Sequence, residues 1–163
     1  MRDCILKARA KGVIFDVGHG QGSFSWEMAE ICAENSFYPD VISTDLHSGN
    51  IGGLAKDLPW VMSKFLHLGI AICLINLSQC CFPGMELDKI LKSVTLTPAA
   101  SIGKHVNSSK SDTIGNINGC DWTVLKLEDV DLSSEDCSGK RRQLKKIFVP
   151  KYVVRKGVFK VLE

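Results

Sequence analysis

Three side chains near the start of the chain have the types and positions that proton and hydrogen-bond chemistry requires. They are His19, between Gly18 and Gly20, and the pair Asp45 and His47. A carboxylate can take a proton from water, and an imidazole can donate a hydrogen bond or exchange a proton near neutral pH. Each group lies just past a short apolar run, 12–17 for His19 and 41–44 for the pair. Each also has a plain reading on residue type alone. An Asp directly after a strand commonly makes a turn or cap, and a histidine between glycines is commonly a loop residue. His67 and His105 lack such a setting and read as ordinary structural histidines. Gly18, Gly20 and Gly22 do not have the spacing of a dinucleotide or phosphate loop.

The elements that must position these groups follow from the apolar pattern. Residues 2–11 look like the tail of a helix that Gly12 stops. The run 12–17 suits a strand buried on both faces, as in a parallel sheet. From Ser25 to about Asn35 the period is helical, with Met28, Ile31 and Cys32 on one face and Ser25 as cap. Val41–Thr44 is a second strand. Strand, helix, strand at this spacing predicts a βαβ crossover and a parallel pair, whose carboxyl ends carry His19, Asp45 and His47. Asp57 and Pro59 open a further helix with Val61, Met62, Phe65 and Leu66 on one face. Helical character returns at Glu86, with Leu87, Ile90, Leu91 and Val94, and a short turn at Thr97-Pro98 ends at Gly103. Residues 104–118 read as a loop. The tail holds short β-prone runs at 122–125, 147–149, 152–154 and 158–161, a small β module. The expected class is therefore α/β, with residues 1–103 in one domain and 104–163 in the other.

Composition narrows the function. Lys and Arg total 20 against 18 Asp and Glu, a net charge of +2, so no nucleic-acid partner is expected. The basic run Lys140-Arg141-Arg142, with Lys145 and Lys146, reads as a solvated hairpin surface. The seven cysteines are irregularly spaced and form no C-x-x-C pair, which argues for reduced thiols, a cytoplasmic setting and no thiolate zinc site. The start shows no signal-peptide pattern. From Phe65 to Met85, 21 residues carry no Asp, Glu, Lys or Arg. That is the length of a membrane span, but Asn76, Ser78, Gln79 and Pro83 interrupt it, so no span is expected.

Gly12-Val-Ile-Phe-Asp-Val-Gly-His-Gly20, Ser43-Thr-Asp-Leu-His47 and Val94-Thr-Leu-Thr-Pro-Ala-Ala-Ser-Ile-Gly103 occur in that order. Together they resemble the C-terminal part of amidohydrolase-superfamily enzymes, in the dihydroorotase-like group that includes deacetylases. The resemblance implies the C-terminal portion of a metal-dependent (β/α)8 barrel, with 12–17 and 41–45 as its seventh and eighth strands, plus strands of a small β-sandwich. It implies Zn2+, as one or two ions, with Asp45 as metal ligand and general base. His19 and His47 become substrate-binding residues, and the substrate a small-molecule amide or ester. A carboxylate beside such a cation can orient the attacking water and take its proton, while the cation lowers that water's pKa from ~15.7 towards ~7.

Two departures shape the expectation. A complete barrel needs at least ~200 residues, and this chain has 163. The family's earlier metal ligands, beginning with a His-x-His, have no counterpart before residue 12. The isolated chain is therefore expected to retain no zinc, to hydrolyse nothing and to fold poorly. The alternative is a non-catalytic fragment or interaction module. Second, residues 70–84 fit no barrel element, and they read as a retained intron or a gene-model error.

Overall fold

A computed structural model describes residues 2–20, 22–51, 53–68, 84–104, 121–155 and 158–162. The expected crossover is present. Helix α1 (Asp3–Ala10) ends at Gly12, whose φ of 85° suits a residue without Cβ. Strand β1 (Asp16–Val17), helix α2 (Trp26–Glu34) and strand β2 (Val41–Ile42) follow. β1 and β2 pair in parallel, Asp16 opposite Val41 and Val17 opposite Ile42. Both strands are shorter than their apolar runs. The ladder is extended by Asp40, whose backbone N–H donates to Phe15 O and whose carboxylate accepts from Phe15 N–H.

Ser25 caps α2 as expected, with Met28 N–H donating to its Oγ at 3.5 Å. The stripe facing the core is not the expected one. Met28 and Ile31 are exposed, and Trp26 and Ala33 are the buried residues of the helix. Trp26 decides the rotation. Its Nε1–H donates to Ser134 O and its ring packs edge-on to Phe24, which turns Met28 towards solvent.

Helix α3 (Leu58–Leu66) is the centre of the molecule. Asp57 caps it, accepting from Trp60 N–H at 2.7 Å, and Pro59 sits in its first turn. The expectation of one apolar face is too narrow, because Trp60 through Phe65 are all buried. A helix buried all round lies inside a core rather than on one. Val61, Met62 and Phe65 contribute about 1.5–3 kcal/mol each by burial. Helix α4 (Leu87–Val94) adds Ile90 to this core, and α5 (Leu96–Ser101) follows it.

The tail forms a three-stranded antiparallel meander of β3 (Trp122–Glu135), β4 (Arg141–Arg155) and β5 (Val158–Val161). β3 and β4 are much longer than the apolar runs suggest. Pro150, which has no N–H to give the ladder, sits beside a register shift, where β-sheets tolerate proline. Leu144 and Phe148 of β4 belong to the same core as α3, and Phe148 N–H donates to Ser63 Oγ. The basic run lies on the hairpin as expected. Lys145 and Lys146 pair with Asp131 and Asp129 across the hairpin, Arg141 with Glu135, and Arg142 with Glu30 of α2. The described residues close no barrel.

Most of the atypical run 70–84 lies outside the described residues, and so does its reading as an intron or gene-model error. Its flanks are informative. Met85 N–H donates to Phe65 O at 2.9 Å, at the end of α3. Gly84 lies so close that a Cβ there would overlap the Leu66 carbonyl. The chain thus returns to the point where it left α3. Joining Gly69 to Gly84 by deleting residues 70–83 is expected to change unfolding free energy by less than ~1 kcal/mol, since Phe65 and Met85 on either side already meet and the length of chain between two joined points alters closure entropy only slowly. Urea denaturation of the deletion variant checks this.

Candidate active site

Asp45 lies three residues beyond β2 and has a left-handed φ of 47°. That conformation costs most residues ~1–2 kcal/mol, and Asp tolerates it because its short polar side chain bonds locally. The neighbouring loop after β1 makes room for it. A Cβ at Gly18 would touch Asp45 Cβ and Ser43 Oγ at 3.6 Å, and a Cβ at Gly20 would overlap Asp45 Oδ2. The two glycines therefore let the carboxylate lie against the end of β1. Ser43 Oγ donates to Asp16 Oδ2 at 2.8 Å on the same strand pair.

The loop after Asp45 is tied by Asn50, which is buried. Its Nδ2 donates to Asp45 O at 2.8 Å, and its Oδ1 accepts from His47 N–H at 2.8 Å. His47 is exposed, and its Nδ1 accepts from Gly49 N–H at 3.0 Å. An accepting Nδ1 leaves the proton of neutral His47 on Nε2, which is then a donor.

His19 is placed differently. Between two glycines that meet Asp45, it goes into the core on the side of the helices. It is 1% exposed, stacks on Phe24 with ring centroids 4.3 Å apart, and meets Phe65 edge-on. Neither ring nitrogen has a hydrogen bond of good geometry, although the backbones of Val17 and Ser43, at the ends of β1 and β2, lie close enough to oppose the fall of its pKa. Burial, and then the charge of Lys64, push its pKa down to about 3, so it is neutral throughout the physiological range. Asp45 and His47 thus share one loop, and His19 lies buried between the two glycines that meet Asp45.

His67 has the structural role expected of it. Its Nδ1–H donates to Ser63 O, and Nε2 accepts from the backbone N–H groups of Lys145 and Lys146 at 2.8 and 3.2 Å. Three polar residues central to the arrangement had no motif to announce them. Lys64 is wholly buried, its Nζ donating to Leu54 O and Glu135 O, and burial pushes its pKa down to about 8. Asp136 holds the β3–β4 hairpin tip to the start of α2. Asn50 had one readable signal, a residue prone to side-chain turns set in His-Ser-Gly-Asn-Ile-Gly-Gly.

The residues present do not themselves fit a metal centre. Among the described residues no three His, Cys, Asp or Glu side chains converge, whereas zinc sites typically take three or four protein ligands. Asp45 offers one carboxylate, and His47 Nδ1 is already engaged.

Known proteins supply the context for this loop. The chain is 30% identical over 148 residues to a deacetylase of Brucella anthropi, across 91% of this chain and 32% of that protein. A deacetylase of Agrobacterium fabrum matches with the same identity and coverage. A solved dihydroorotase superposes with a TM-score of 0.78 at 28% identity, over 98% of this chain and 38% of that one. This chain is a relative of the amidohydrolase superfamily. A solved adenine deaminase shares the fold of this amidohydrolase relative, with a TM-score of 0.72 at 22% identity over 99% of this chain and 39% of that one. No protein-family model matches it. The amidohydrolase relative spans about a third of the length of the curated deacetylases it matches. No helix among its described residues is long and apolar enough to cross a membrane.

Proposed function

We propose that the chain is the C-terminal part of an amidohydrolase-type hydrolase acting on a small-molecule amide or ester, with removal of an acetyl group as the leading case. Its strands β1 and β2 are the last two of a (β/α)8 barrel. Asp45 is the proton-accepting carboxylate, and His47 a hydrogen-bond donor to the substrate through Nε2. The observation that carries this reading is the lodging of Asp45 against Gly18 and Gly20, at the shared carboxyl end of two parallel strands. Active groups of parallel α/β folds stand at that end. Asp45 there can take a proton from the attacking water and return it to the leaving group. His19, between the two glycines and stacked on Phe24, is the second substrate-side residue. A cytoplasmic setting is supported by Cys4, Cys32 and Cys137, all free thiols.

Zn2+, which the resemblance implies, needs ligands beyond the described residues, and no step here is routed through it. The same observation favours a second reading for the isolated chain, a non-catalytic fragment or interaction module. Elemental analysis of the purified chain should find well under one zinc per molecule, and the chain should cleave no acetylated substrate. The hydrolase reading is tested by a chimera. This chain replaces the matched third of the Agrobacterium fabrum deacetylase, and hydrolysis of acetylated substrates is measured. Activity is expected, and Asp45→Asn should lower kcat by ~10²–10⁴-fold, the range for losing a general base. A chimera equally active with Asp45→Asn would end the proposal.

A further inference from the structure

We propose that Asn50 is a positioning residue, whose side-chain amide sets the orientations of Asp45 and His47 together. This rests on the role just given to those two residues. Asn50 is 4% exposed, and the two ends of its amide reach the backbones of the two site residues. Its donor end holds Asp45 O, the carbonyl of the residue with the left-handed φ. Its acceptor end holds His47 N–H, and the backbone closes the same turn, Asn50 N–H and Ile51 N–H both donating to His47 O at 3.1 Å. Fixing these two backbones fixes where the Asp45 carboxylate enters the space left by Gly20. It also fixes where the His47 ring meets Gly49 N–H. The amide carries its donor and its acceptor on two separate atoms of one planar group, so it can serve both at once. An aspartate could serve His47 alone, and an alanine neither.

That difference makes the test. NMR on the 163-residue chain reads amide exchange at His47 and Gly49, and the Asp45 N–H to Hα coupling, which reports φ. In Asn50→Ala, exchange at His47 and Gly49 is expected to accelerate by about tenfold, the loss of one hydrogen bond, and the Asp45 coupling to move towards its extended value. In Asn50→Asp the Asp45 coupling moves, while His47 exchange stays within about threefold of the parent. In the chimera described above, Asn50→Ala should lower kcat through Asp45 and raise KM through His47, whereas Asn50→Asp should act mainly on kcat. Unaltered exchange and coupling in Asn50→Ala would overturn the proposal. So would changes at Asp45 and His47 that merely track a general loss of protection across the core in both variants. Failure of the hydrolase reading shows separately, as a chimera indifferent to Asp45→Asn.

Discussion

Acidification from pH 6.5 towards 3 should unfold this chain, chiefly through His19. An unfolded imidazole titrates near 6.5, while burial and Lys64 hold the folded one down to about 3. Above pH 6.5 both states are neutral there and the residue costs nothing. Below it, the unfolded chain binds a proton that the folded chain refuses, and stability falls by up to ~1.4 kcal/mol per pH unit until the folded value is reached. The accumulated loss is about 3–5 kcal/mol, a large share of the ~5–15 kcal/mol that holds a typical domain together. His67, whose pKa is also lowered by burial, acts in the same direction below its unfolded value. Urea titrations at a series of pH values measure the slope. His19→Phe keeps an aromatic ring on Phe24 and removes the titrating nitrogens, so its slope should flatten and its stability at low pH exceed the parent's. A slope as steep in His19→Phe would mean that another group is responsible.

Asp136→Ala should be the most damaging single substitution at the join between helices and hairpin, at about 2–4 kcal/mol. One carboxylate oxygen accepts from Trp26 N–H at 2.8 Å. The other accepts from Ser138 N–H, Ser138 Oγ–H and Lys140 N–H at 2.7–2.9 Å. Burial pushes the Asp136 pKa up, but these bonds outweigh it and the carboxyl is held below its ordinary value. Its contribution is therefore present above the ordinary carboxylate range and is lost as pH falls through the lower, folded value. Removing it takes the acceptor from one donor at the first turn of α2 and from three more at the hairpin tip. Asp136→Asn should lose nearly as much, since its NH2 would face a donor whichever way the amide turned. Ser138→Ala removes one of the bonds and should cost about 1 kcal/mol. Denaturation midpoints order the three, and an Asp136→Ala variant within about 0.5 kcal/mol of the parent would refute the account.

The βαβ unit was legible because each step has a local cause. An apolar run, a serine cap and a second apolar run leave few alternatives, and Asp45 then falls at a strand end by count. The direction of His19 was not legible, because glycines on both sides give no side-chain alternation to read. The lengths of β3 and β4 were hidden for another reason. Much of their surface is held by charge pairs such as Lys145–Asp131 and Lys146–Asp129, where an apolar-polar pattern would have declared a strand. Met28 and Ile31 looked like the buried face of α2 because periodicity fixes a stripe without saying which stripe a tryptophan will claim. Lys64 and Asp136 owe their burial to contacts across long sequence separations, which no local window contains.

Lys64 gives the protein a built-in reporter of its own opening. Its amine is wholly covered while α3 and the end of β3 stay together, so an acylating reagent in solution reaches it only in molecules that have come apart. The exposed amines of Lys89, Lys92 and Lys126 would be modified at once and serve as an internal clock. The lag of Lys64 behind them, read by peptide mass, would time the separation of the two halves in a sample never exposed to denaturant.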